Sequence, residues 1–163
     1  TGNASKESQP DVLCDLEKPL PMGDGSFDGV LLINVLEHIF EYRQLLLECA
    51  RVVQNDGTVV IVVPFIFPYH ASPHDFHRYT SEGLARALAL SGFSNVEISP
   101  LGSGVLSARW VLLERLLPAP FQALAPLAIF ADRAFSALAR ALRKKYSPSD
   151  YALGYVATAR KIG

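Results

Sequence analysis

Ser26 to His38 reads SFDGVLLINVLEH, and the fold turns on this stretch. Phe27 and Asp28 lead into an apolar run, Gly29 to Ile33, that stops at Asn34 and gives way to Glu37 and His38. A short apolar run between polar punctuation, with helical spacing soon after it, predicts a strand buried on both faces. Strands of that kind build parallel sheets, whose ligands lie beyond the carboxyl ends of the strands. Asn34 to His38 are therefore expected at the site of any chemistry.

Downstream, Glu41 to Val53 places Leu45, Leu46, Cys49, Val52 and Val53 largely opposite Glu41, Arg43, Gln44, Glu48 and Arg51, the pattern of an amphipathic helix. Asn55-Asp56-Gly57 supplies a stop and turn, and Thr58 to Val63 (TVVIVV) predicts a second buried strand. Strand, helix, strand in this order is a right-handed parallel crossover. Upstream, Asp11 to Leu16 (DVLCDL) reads as another short strand, joined to the central one by the Pro- and Gly-rich loop Glu17 to Ser26. Beyond the second strand, Pro64 to Tyr79 (PFIFPYHASPHDFHRY) is a long aromatic loop. Thr80 caps a helix over Ser81 to Leu90, which ends at Ser91-Gly92, and Ser94 to Ser99 is a further strand. After a break at Gly102 to Gly104, Val105 to Lys145 predicts two or three helices, and Tyr151 to Lys161 returns to the sheet as an edge or antiparallel strand.

Composition narrows the function classes. With 163 residues, half of them hydrophobic, and a formal net charge of −1, the chain suits one domain with a real core. It has no basic excess, so nucleic acid is not an expected partner. Cys14 and Cys49 sit inside apolar patterns without metal or redox spacing, which suits small buried hydrophobes in a reducing, cytoplasmic compartment. The polar lead TGNASKESQP over residues 1–10 has no signal-peptide core. The uncharged run Leu116 to Ala131 carries three prolines and falls short of the ~20 residues a membrane span needs.

Chemistry-bearing residues concentrate in two places. His38 is a candidate base or substrate-orienting group, while Glu37 and His38 equally suit the start of a helix. His70, His74 and His77 form an H-x3-H-x2-H series around Asp75. Pro73 interrupts it and no further ligand cluster is evident, so no metal is assigned. The preferred reading is a substrate wall: His74 as a catalytic contact, Asp75 and Arg78 as polar contacts or as an ion pair holding the loop, and Phe67, Tyr69 and Tyr79 enclosing the pocket. From Leu127, the positions Phe130, Ala134, Leu138, Ala141 and Leu142 share an apolar face, with Asp132, Ser136, Arg140, Arg143 and Lys144 directed away. A helix of that kind serves as a lid, a homodimer interface or a peripheral membrane contact at an inner surface, or packs across the sheet.

Taken together, DLEKPLPMGDGSFDGVLLINVLEHI, ECARVVQNDGTVVIVVPF, PHDFHRYT and Gly92-Phe93 resemble class I S-adenosylmethionine-dependent methyltransferases of the type 11 kind. The resemblance covers roughly Asp11 to Ser99 and the last strand. It implies a Rossmann-like α/β sheet, with Asp15 accepting from the adenine amino group, Leu16 packing on the ring, and Asn34 and Val35 lining the methionine side. It also implies a Gly-rich loop and a ribose-binding acid upstream of Asp11, which this sequence does not carry, so weak or absent binding of S-adenosyl-L-methionine is expected, either of an N-terminally truncated domain or of a lineage that has lost the cofactor site. The expected organisation is a lead at 1–10, the α/β core at 11–104, a helical insertion at 105–150 and the final strand at 151–163. The expected function is methyl transfer to a small-molecule, saccharide or lipid-linked acceptor. The competing expectation is a non-catalytic interaction module that uses the 105–145 helices as its partner surface.

Overall fold

Residues 27–33 form β1 (Phe27–Ile33), the first strand of the described sheet. The computed structural model describes residues 11–71, 73–113, 116, 118, 120, 124–142 and 145–163. A 3-10 turn at Leu36–His38 leads into α1 (Tyr42–Val52), and β2 (Val53–Pro64) returns parallel to β1. There follow α2 (Ser81–Leu90), β3 (Phe93–Ser103), α3 (Val105–Leu113), α4 (Ala125–Ala141), a 3-10 turn at Pro148–Tyr151 and β4 (Ala152–Lys161). The described strands make one sheet in the order β1-β2-β4-β3. Among the described residues no helix is long and apolar enough to cross a membrane.

The core forms where α1 and α2 lie on one sheet face. Leu45, Leu46 and Cys49 from α1 and Leu84 and Leu88 from α2 pack on Leu32, Val59, Ile61 and Ala157, which the register puts in adjacent rows. As the sequence predicts, Thr80 caps α2, its side chain accepting from the Gly83 N–H at 3.1 Å. Arg51 of α1 fastens the Pro- and Gly-rich loop: its guanidinium donates to Glu48, Asp24 and the Leu20 and Met22 carbonyls. Both cysteines are free, Cys49 buried and Cys14 half-buried, and burial raises the Cys49 thiol pKa to about 12.

Four expectations need correcting. Asp11 to Leu16 is not a strand: the Asp15 carboxylate accepts from the Glu17 N–H at 3.0 Å and the Asp15 carbonyl from the Lys18 N–H at 3.1 Å, a local turn that occupies the backbone. β1 is not covered on both faces. Leu32 is buried, but Leu31 and Ile33 are 61% and 53% exposed, because β1 is the edge of the described sheet and α1 and α2 cover only its other side. The Asn55-Asp56-Gly57 turn does not precede β2 but lies within it, as an excursion where Phe27 pairs with Val53 and Gly29 with Thr58; Asp56 there has φ +62°. The last strand returns antiparallel, one of the two expected arrangements, and lies inside the sheet between β2 and β3.

Helix α4, the fourth, has its polar side facing inward. Asp132 and Ser136 are buried, while Leu127 (61%) and Phe130 (71%) are exposed together with Leu138 and Leu142. The reason is a hydrogen-bonding demand. The Asp132 carboxylate accepts from the Leu106 and Ser107 amides at 2.9 and 2.6 Å and from the Ser107 hydroxyl at 2.6 Å, satisfying the otherwise unpaired first-turn donors of α3. The polar lead at 1–10 and the basic end at Arg143 and Lys144 lie outside the described residues.

Candidate functional site

The carboxyl ends of β1 and β2 open into a cavity of about 270 Å³ lined by Asn34, Val62, Pro64, Phe67, His70, Gly102 and Leu153. Asn34 closes the β1–β2 ladder, its N–H donating to the Val62 carbonyl at 2.9 Å. It then turns the chain at φ +50°, a conformation Asn tolerates better than most side chains. Val35 to Ile39 drop into the 3-10 turn, so that Leu36 and Glu37 are fully buried.

The loop after β2 is sewn to that turn. The Phe76 and His77 amides donate to the Glu37 carbonyl at 2.8 and 3.3 Å, and the Tyr79 hydroxyl donates to the Leu36 carbonyl at 3.1 Å. Within the loop, Arg78 forms a fork onto both oxygens of Asp75, and the Asp75 carboxylate accepts from the His70 amide at 3.0 Å. Hydrogen bonds from Arg78 hold the Asp75 carboxyl well below the usual carboxylate range, and the same contacts raise the Arg78 pKa. Burial pushes the Tyr79 hydroxyl well above its ordinary value, consistent with a structural phenol.

These tethers bring Glu37, His38 and His70 together. His38 and His70 meet edge to face at 5.2 Å between ring centroids, and their Nε2 atoms lie 3.7 and 3.6 Å from Glu37 Oε1. His38 Nδ1 is 2.5 Å from the His74 carbonyl, and His70 Nδ1 is 3.2 Å from the Pro68 carbonyl and 3.4 Å from Asp75 Oδ2. Carbonyls and carboxylates only accept, so each Nδ1 carries the hydrogen. Neither oxygen of Glu37 receives a hydrogen bond.

The residues expected from sequence divide accordingly. Asn34 and Phe67 line the cavity; so does His70, to which the sequence assigns no role beyond the histidine series, and Phe67 packs edge to face on it at 5.1 Å. His38 stands behind His70. His74 contributes its carbonyl, while its ring lies on Phe76 at 5.2 Å. Asp75 and Arg78 hold the loop, Tyr79 is buried, and Tyr69 points to solvent. Val35 and Leu16 pack against the core, and Asp15, its carboxylate exposed and paired with Lys18 at 3.3 Å, occupies its own turn. The H-x3-H-x2-H series does not converge: His77 faces Tyr42 and Phe40. The sequence reading treats Glu37 as a helix start and passes over Gly102 and Leu153, which come from remote strands. The Glu-His pair directly after a strand end was the available signal for Glu37.

Comparison with known proteins bears on the fold. A family model described as a methyltransferase domain matches residues 2–61, a little over a third of the chain. An uncharacterised protein of Methanocaldococcus jannaschii is 48% identical over 44 residues, 27% of this chain and 19% of that protein. The crystal structure of the [4+2]-cyclase SpnF superposes with a TM-score of 0.57 at 21% identity, over 93% of this chain and 56% of that one. A Haemonchus contortus phosphoethanolamine N-methyltransferase 2, solved with S-adenosyl-L-methionine, gives 0.52 at 17% identity over 91% of this chain and 36% of that one. The chain thus spans about a fifth of the curated relative and little more than half of the first of these structures. It has the class I methyltransferase fold, which a cyclase also uses, so the fold alone does not fix the reaction.

Proposed function

We propose that this chain, built on the methyltransferase fold, contributes to methyl transfer from S-adenosyl-L-methionine to an acceptor seated at the carboxyl ends of β1 and β2. The observation that carries the proposal is the cavity that gathers Asn34, Phe67 and His70 at that edge, where a parallel sheet presents its ligands. The cofactor supplies a methyl group activated by its positive sulfur, and transfer needs in-line approach before it needs a base. Asn34, exposed at the strand end, is the group best placed to meet it. The described residues offer one flank for the cofactor and not an enclosure, because Asp15 spends its carboxylate on its own turn and on Lys18.

For the acceptor, a lining dominated by Val62, Pro64, Phe67 and Leu153 with His70 at its polar end favours a small molecule, or a saccharide or lipid-linked group, that pairs an apolar face with one hydroxyl or amine. A neutral imidazole at the cavity wall is a proton acceptor for such a group, which gives His70 its role, with His38 packed edge to face behind it. The test is calorimetric titration with S-adenosyl-L-methionine of residues 1–163 and of the product of the whole reading frame that encodes them. Saturable one-site heat in the reading-frame product supports the proposal; no heat from either overturns it.

A second reading, an interaction module, is favoured by one observation: the exposed apolar face of α4 at Leu127, Phe130, Leu138 and Leu142. A second copy of the chain would cover it, and sedimentation of the wild type against Phe130→Glu would show a dimer lost in the variant.

A further inference from the structure

Three atoms that can each offer a lone pair lie close together beside the cavity. Both His38 and His70 commit the Nδ1 hydrogen to acceptors on the other side of the ring, so each neutral ring turns a bare Nε2 toward Glu37 Oε1. Glu37 is 0% exposed, and neither of its oxygens receives a hydrogen bond. A buried carboxylate without donors, facing two bare imidazole nitrogens, is unfavourable unless a positive charge sits among them. One ligand atom from each residue lies within 4.8 Å of the other two.

We infer that Glu37, His38 and His70 form a binding site for a divalent transition-metal ion of the Zn2+ or Fe2+ class. Two imidazoles and one carboxylate are a donor set these ions take, with positions left for water or substrate. At metal–ligand distances of about 2.0–2.2 Å, neighbouring donors of a tetrahedral ion sit about 3.3 Å apart. The observed separations of 3.7 and 3.6 Å close to that by movements of a few tenths of an ångström. The outer contacts are those a metal site uses: the far nitrogen of each histidine is held by a backbone carbonyl, with Asp75 adding a carboxylate behind His70, which fixes tautomer and ring orientation. Access is available from one side, since His38 and His70 are partly exposed and His70 lines the cavity. On the methyl-transfer reading, on which this last step rests, the ion would hold the acceptor's oxygen or nitrogen and lower its pKa.

The alternative is a proton: an imidazolium at His38 or His70 would also answer Glu37. Metal titration separates the two without S-adenosyl-L-methionine, so it also stands apart from the methyl-transfer reading. The full chain, stripped with a chelator, is titrated with Zn2+ alone by calorimetry and with Co2+ alone by visible absorption. The expected result is one ion per chain and cobalt bands of mixed nitrogen and oxygen coordination. Binding is lost in Glu37→Gln, weakened roughly tenfold or more in His70→Ala and retained in His74→Ala, whose ring faces away. Circular dichroism checks that the variants fold, and His70→Ala, with its partly exposed ring, carries the test if Glu37→Gln does not fold. Absence of saturable binding, or equal affinity in wild type and His70→Ala, overturns the site.

Discussion

Gly104 sits at φ +123° between β3 and α3, where an added Cβ would collide with the Asp132 carboxylate. Gly104→Ala therefore combines backbone strain with displacement of the group that satisfies the start of α3. Expected destabilisation is about 2 kcal/mol or more, read from denaturant unfolding; an unchanged midpoint would contradict the contact. Asp75 gives a pH prediction. Its folded pKa is depressed by Arg78, so the unfolded chain binds the proton more readily. The pair's contribution is complete above the ordinary carboxylate pKa of about 3.9 and is lost as pH falls below it. The melting-temperature gap between wild type and Asp75→Asn should be widest above about pH 5 and shrink toward acid; a gap independent of pH would show that the fork does not hold the loop. The Asp75–Arg78 pair was readable from its spacing of three. The Glu-His pair marked the position of Glu37 but not its burial, which accompanies the Phe76 and His77 amides donating to its backbone, contacts some forty residues away that no local pattern encodes.

At the scale of elements, α3 and α4 form a unit held by one buried acid. Asp132→Ala removes the acceptor for two amides and a hydroxyl, and hydrogen bonds to a charged group contribute roughly 1.5–3 kcal/mol each. Amide exchange should rise across Val105–Leu113 and across Ala125–Ala141 while the β2–β4 ladder stays protected. Exchange unchanged in α3 would mean the helices stand independently. For α2, Thr80→Ala should cost about 1 kcal/mol, seen in thermal melts. Helices α1 and α2 and strand β2 were legible because their apolar residues recur at the period of the element they form. Helix α4 was legible as a helix and misread in orientation. Periodicity marks its apolar stripe, but the amides of α3 draw the polar side inward, and that demand comes from a different segment.

At the scale of the whole molecule, the parallel β1–α1–β2 unit followed from the apolar run ending at Asn34 together with the helix and strand patterns after it. The interior place of β4 did not, since its alternating sequence suits an edge or an interior antiparallel strand equally. The described sheet has one face covered by α1 and α2 and an open edge at β1, where Leu31 and Ile33 stand exposed. Residues 1–163 alone should therefore self-associate with rising concentration, and Leu31→Lys with Ile33→Lys should reduce this in light scattering at little cost in stability. Scattering unchanged by the double substitution would place the association elsewhere.

The central claim, that the methyltransferase fold here presents its ligands at the carboxyl ends of β1 and β2, is tested most directly by amide hydrogen exchange. The protein would be measured with and without saturating S-adenosyl-L-methionine. The account predicts slowed exchange at Asn34 to His38 and over the first turns of the loop that follows Pro64. Saturation without protection at Asn34 to His38, or protection confined to α3 and α4, would contradict it.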